Sequence, residues 1–186
     1  MTRVLPIVLS FAAVTALAAC HNGPPREDGS IRAEAHLLDT LGREVGVVRM
    51  VEAPGQPGVM VTIDIGHATP GQHGIHFHTV GKCDPPALFA SAGGHFNPGG
   101  RRHGLFAPDG PHAGDLEAIT VDEFGHASFV SSNSRITLSA GPNSLLDADG
   151  SAVVLHALPD DQRTDPSGNS GSRIACGVLT RTLTVP

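Results

Sequence analysis

Val59-Met60-Val61-Thr62-Ile63-Asp64-Ile65 decides the fold class of this chain, because an apolar residue stands at every second position. That period is the signature of a β-strand with one face buried, since successive side chains point to opposite faces of a sheet. The Pro54-Gly55-Gln56-Pro57-Gly58 run ahead of it breaks the chain firmly. Working outward, Ile31, Ala33, Ala35 and Leu37 alternate less strictly, and Asp39-Thr40-Leu41-Gly42 makes a turn. Val45, Val47 and Met50-Val51 form a second strand with Gly46 as a candidate bulge. A fourth strand follows at Gly74 to Thr79, and others at Leu116–Val121, Ala127–Val130, Val153–His156 and Ile174–Val185. No stretch carries a helical period, and Gly and Pro, 38 residues together, supply the turns. The prediction is an all-β domain, an eight-stranded antiparallel Greek-key sandwich or barrel with long loops at 81–114 and 157–172.

The 186 residues suffice for one domain with a full core, here residues 31–186. Residues 1–19 stand apart from it: Met1-Thr2-Arg3 is followed by a short apolar run ending Leu17-Ala18-Ala19-Cys20, which reads as an export signal. Leu-Ala-Ala-Cys resembles the bacterial lipobox, whose cysteine becomes a lipidated N-terminus; an ordinary signal peptide with an incidental cysteine is the alternative. Residues 20–30 are polar and rich in Pro and Gly, a flexible tether. With Cys20 lipidated, Cys83 and Cys176 remain, and an oxidising compartment permits a disulfide. Loss of residues 1–19 removes Arg3 and no acid, leaving 11 basic against 18 acidic side chains, a formal charge of −7. That balance argues against nucleic acid as a partner, which needs basic surface to neutralise phosphates.

Of 11 histidines, five fall between Gly74 and Asp115. His76 and His78 stand two apart on a predicted strand, so both rings leave one face. His95 follows Gly94 and precedes Asn97-Pro98, while His103, His112 and Asp115 close the long loop and His156 ends a later strand. Six histidines and one aspartate can fill two four-coordinate sites if one imidazole bridges them, or one site of four and one of three plus water. Imidazole-rich sets suit copper and zinc, and a mixed His/Asp tetrahedron suits zinc. Loop 81–114 has no period of its own, and a metal would order it.

The segments HGIHFH (73–78), GGHFNP (93–98), GPHAGDL (110–116), VVLHALPDD (153–161) and GNSGSRIACGV (168–178) resemble the copper/zinc superoxide dismutases, particularly the bacterial exported form. That family is itself a recognised β-sandwich architecture. The resemblance implies copper ligands at His76, His78 and His156, with His95 bridging to zinc. It implies zinc ligands at His95, His103, His112 and Asp115, and a disulfide between Cys83 and Cys176. Asp160 matches the carboxylate that hydrogen-bonds one histidine of each metal, Arg173 the arginine that guides the anion, and His73 a structural histidine. His21, His36, His67 and His126 have no motif around them. The implied activity is dismutation of superoxide by copper cycling between Cu(II) and Cu(I), with His95 also carrying a proton. A cell-envelope lipoprotein on the periplasmic or surface side of a membrane is implied as well.

Two departures stand out. Loop 157–172 carries Arg163 but no lysine, where many relatives place lysine for steering. Tyr and Trp, which build some bacterial dimer interfaces, are absent, so a homodimer is one expectation among open oligomeric states. The other function class is a non-enzymatic lipoprotein of the same fold that stores or delivers copper or zinc. A complete set of His76, His78, His95 and His156 with Arg173 speaks for the enzyme.

Overall fold

The protein's structure, a computed structural model, describes residues 28–182. The expected signal peptide, its lipidation site Cys20 and most of the tether lie outside the described residues, as does the far end of the predicted last strand.

The described chain forms ten strands: β1 (Ile31–Asp39), β2 (Glu44–Glu52), β3 (Val59–Ile65), β4 (Gly71–His73), β5 (Ile75–His78), β6 (Ile119–Val121), β7 (Ala127–Asn133), β8 (Ala152–His156), β9 (Arg173–Val178) and β10 (Thr180–Thr182). Eight of them curl into one antiparallel sheet in the order β5-β8-β9-β1-β2-β3-β7, with β10 also on β1. From β3 to β5, and again from β7 to β8, the chain crosses from one side of this order to the other, which is Greek-key connectivity. Strands β4 and β6 make a separate two-stranded piece.

The count of ten replaces the expected eight for local reasons. The predicted strand from Ile174 is interrupted at Leu179, whose side chain is buried and whose N–H donates to Ser151 O (2.9 Å). Its two halves, β9 and β10, both lie along β1. Gly71–His73 pairs with β6, so β4 separates from β5. In β2 the ladder shifts between Leu37 and Leu38, which face Gly46 and Glu44 and leave Val45 as the extra residue. A bulge inverts the alternation beyond it, so Val45 is buried together with Val48 and Met50, not with Val47 as the sequence suggested.

Val59, Val61, Ile63 and Ile65 all face the core, where Leu37, Met50, Ile63 and Phe77 are fully enclosed. Each such side chain contributes about 1.5–3 kcal/mol by burial. Strand β8 is buried along its whole length. Val153 and Leu155 enter the main core, while Ala152 and Val154 join Phe89, Ala92 and Cys176 in a second apolar cluster on the other face. Cys83 packs on that cluster and is bonded to Cys176, 93 residues away, which ties the long loop to β9.

Candidate metal centre

Strand β5 is buried at all four positions, Ile75 and Phe77 in the core and His76 and His78 on the opposite face. Its neighbour β8 carries His156 at its end, in a ladder that pairs His76 with Val154. Loop 81–114 is ordered by more than a cation. Phe96 N–H donates to Phe77 O (2.8 Å), Phe77 N–H to Gly114 O (2.9 Å), and Thr79 N–H to Gly94 O (3.0 Å). His95 and Asp115 are thereby bridged to β5, opposite His78 and His76. Only glycine allows this approach at residue 114, where a Cβ would lie 2.5 Å from Phe77 O. Two 3₁₀ turns, Pro85–Ala87 and Ala90–Ala92, fill the rest of the excursion under the disulfide.

The seven expected donors fall into two buried sets that share His95: His76, His78, His95 and His156, then His95, His103, His112 and Asp115. In the first set one nitrogen of each ring is buried without a protein partner, namely His76 Nδ1, His78 Nε2, His95 Nε2 and His156 Nε2. The opposite nitrogens are engaged. His76 Nε2–H donates to Asp160 Oδ2 (2.6 Å), His78 Nδ1–H to Gly93 O (3.0 Å), and His156 Nδ1–H to Gly171 O (3.2 Å). Those bonds select tautomers whose lone pairs point at one another. Four converging lone pairs, buried and unshared, suit a cation that prefers imidazole.

The second set is built around Asp115 Oδ1, which lies 2.9 Å from His95 Nδ1, 3.1 Å from His103 Nδ1 and 3.3 Å from His112 Nδ1. His95 Nδ1 and His112 Nδ1 are 3.4 Å apart. Donors bonded at 2.0–2.1 Å in a tetrahedron stand about 3.3 Å from one another, so these distances are the edges of a zinc-sized site. Asp115 Oδ2 is spent on the Gly104 and His112 N–H groups (2.8 and 3.0 Å), which leaves Oδ1 as the free ligand atom. His95 turns Nδ1 to this set and Nε2 to the other, as a bridge requires.

Charge follows the same division. Burial pushes His78 well below the usual imidazole range, His156 down to about 3, His95 to about 4, and lowers His76. All four are therefore neutral, the ligating form. Burial opposes protonation of His103 too, yet Asp115 and Asp160, one at each ring nitrogen, push it up to about 9. Burial would raise both carboxyls, but the histidines around them outweigh it and hold Asp115 and Asp160 far below the carboxylate range. Two buried anions call for a cation at this point.

Asp160 joins the sets, accepting from His76 through Oδ2 and from His103 Nε2–H through Oδ1 (3.0 Å). Its neighbour Asp161 stays at the surface, accepting from Arg163 N, Thr164 N and Asn169 Nδ2. Gly168 makes room for the link, since a Cβ there would fall on the Asp160 carboxylate and against His103 Nε2. Arg173 is half-buried; its Nη1 donates to Phe89 O (2.7 Å) and its Nη2 to Gly93 O (2.6 Å), the oxygen that also takes the His78 proton. Its charge helps depress His78 and His156. His73 lies outside both sets, its ring spanning the carbonyls of His156 and Thr69 (both 2.7 Å). Arg163 lies 5.5 Å over the Phe106 ring, and His36 pairs with Glu34 and Glu44 at the surface.

Several supporting residues escaped the sequence reading. Asp165 accepts from His103 N–H (2.5 Å) and Arg102 Nε (2.8 Å). Gln162 Nε2 donates to Leu116 O, Asn133 Nδ2 to Ala113 O and Arg135 Nη2 to Asp115 O, each at 2.9 Å. They sit in loops or at a strand end, and nothing in their local pattern separates them from solvated polar residues.

The family described as copper/zinc superoxide dismutase (SODC) matches residues 44–179. Among relatives, superoxide dismutase [Cu-Zn] 2 of Aquifex aeolicus is 42% identical over 151 residues, covering 80% of this chain and 86% of that one. Superoxide dismutase [Cu-Zn] of Deinococcus radiodurans is 36% identical over 194 residues, covering 96% and 98%. The crystal structure of a superoxide dismutase-like protein from Bacillus subtilis aligns with a TM-score of 0.74 at 37% identity, covering 79% of this chain and 97% of that one.

Proposed function

The chain belongs to the copper/zinc superoxide dismutase family, and from that premise we propose that it converts superoxide to dioxygen and hydrogen peroxide at the buried histidine centre. It is an oxidoreductase whose cofactors are copper and zinc. One observation carries the reading: four buried imidazole nitrogens without protein partners converge in one set, which shares His95 with the His/Asp set.

His76, His78, His95 and His156 would hold copper, and His95, His103, His112 and Asp115 would hold zinc. Copper held there would supply the one-electron redox chemistry that dismutation needs. The protein's own groups do the rest. Asp160 orients His76 and His103 together, so both sites are set by one carboxylate. Arg173 places a positive charge beside His78 and His156, where a small anion approaching an acidic protein needs one. Its guanidinium is fixed by two carbonyls, so it is positioned before substrate arrives. His95 Nε2 is the atom at which a proton can be held for the product. Arg163 sits over Phe106, and the steering role is given to Arg173 alone.

The export signal and lipobox-like Leu17–Cys20 support a cell-envelope lipoprotein that removes superoxide from outside the cytoplasm. The test is a superoxide-consumption assay on the mature protein loaded with both metals. Rapid consumption is expected; full metal occupancy without activity would overturn the enzyme reading in favour of a metal carrier. Mass spectrometry of the mature N-terminus decides the lipid, since an unmodified start beyond Cys20 refutes it.

A further inference from the structure

Outside the metal centre, a cavity of about 240 Å³ lies between the Asn97–Arg101 turn, the Gly110-Pro111 turn and the segment from Arg135 to Asn143. No carboxylate lines it. Two arginines do, Arg101 and Arg135, together with Asn143. Arg32, Arg43, Arg49 and Arg102 each pair with an acid, in a chain with 18 acids to 12 basic residues. Arg101 and Arg135 have no ion pair among the described residues.

Arg135 is the more telling of the two. Its guanidinium is half-buried, Nη2 donates to the Asp115 carbonyl, and Nε is buried with no partner at all. A half-buried cation whose one partner is a neutral carbonyl is costly, and Nη1, which makes no hydrogen bond among the described residues and is not sealed off as Nε is, remains for a ligand. Guanidinium presents its donors in a planar fork that matches a carboxylate, and a second arginine in the lining adds a second positive charge. The volume suits a ligand of a few heavy atoms, being below the roughly 300–1,000 Å³ of sites for larger molecules.

We propose that this cavity binds a small carboxylate between Arg101 and Arg135. The site rests on none of the metal assignments. Its occupant would nevertheless touch the side chain that holds the backbone of Asp115, one guanidinium away from the His/Asp set.

The test follows the arginine Nε–Hε resonances of the fully metallated, reduced protein during titration with sodium acetate, with ionic strength held constant by sodium chloride. Saturating shifts of the Arg101 and Arg135 signals are expected, with a midpoint on the order of 1–10 mM. Arg101→Ala should raise that midpoint at least fivefold, and Arg32→Ala should leave it unchanged. Arg101 is exposed and unpaired, so its loss spares the fold. Shifts that grow without saturating, or a midpoint unaltered by Arg101→Ala, would overturn the site. Tighter saturation by inorganic phosphate than by acetate would overturn the carboxylate assignment.

Discussion

The four-histidine set and the His/Asp set share a ring yet are built by different means. In the first, His76, His78 and His156 stand on adjacent strands β5 and β8, and the ladder fixes their spacing before any cation is considered. In the second, every donor comes from the excursion between residues 95 and 115, which has no regular structure. Its geometry depends on side chains that grip its backbone from elsewhere: Asp165 at His103, Asn133 at Ala113, Arg135 at Asp115 and Gln162 at Leu116. A sheet register is a cooperative property of many bonds, whereas a loop held by single bonds loses geometry one bond at a time. The first set should therefore tolerate perturbation better than the second.

Cutting the disulfide that ties the long loop to β9 should have the largest effect. Cys83→Ser or reduction opens a loop of 93 residues and removes on the order of 4–5 kcal/mol by the chain-entropy account. Urea denaturation of the metallated protein checks this, and a loss below about 1 kcal/mol would mean the excursion is held without its tie. Next comes Asp115→Asn, which removes the only anionic donor of the His/Asp set. Zinc affinity should fall by more than the 10–100-fold typical of outer-shell changes, with copper affinity falling far less. Chelator competition measures both, and equal losses would erase the distinction between the sets.

Asp160→Asn should weaken both metals, by about 10–100-fold each, because one carboxylate orients a histidine of each set. Gly168→Ala should act in the same direction by displacing that carboxylate. An effect confined to zinc would show that the ladder alone fixes His76. Arg173→Ala should be mildest on metal content. About tenfold slower turnover is expected, with copper retained and a flatter dependence on salt. An unchanged rate would remove the guiding role.

Legibility in the sequence followed the same divide. The alternation of Val59–Ile65 and of Ile31–Leu37 identified strands and their inward faces, because a period of two leaves no freedom about which residues share a face. Phase failed where one residue broke the period, at Val45 in β2 and at Leu179 between β9 and β10. The seven donors were visible as residue types and spacing. Loop 81–114 has no period that would reveal its order in the sequence, and backbone bridges from residues 94–96 and 114–115 to β5 provide much of that order.

By itself the sequence determined the all-β class, the strand that carries two imidazoles on one face, and the inventory of donors for two metals. Only the tertiary structure decided which nitrogen of each histidine is free, which oxygen of Asp115 faces the donors, and which of the described arginines lack an acidic partner. Strand periodicity is local, set by the backbone of consecutive residues. Tautomer, charge and unpaired donors depend on groups brought together across gaps such as the 84 residues between His76 and Asp160, and no local pattern encodes that meeting.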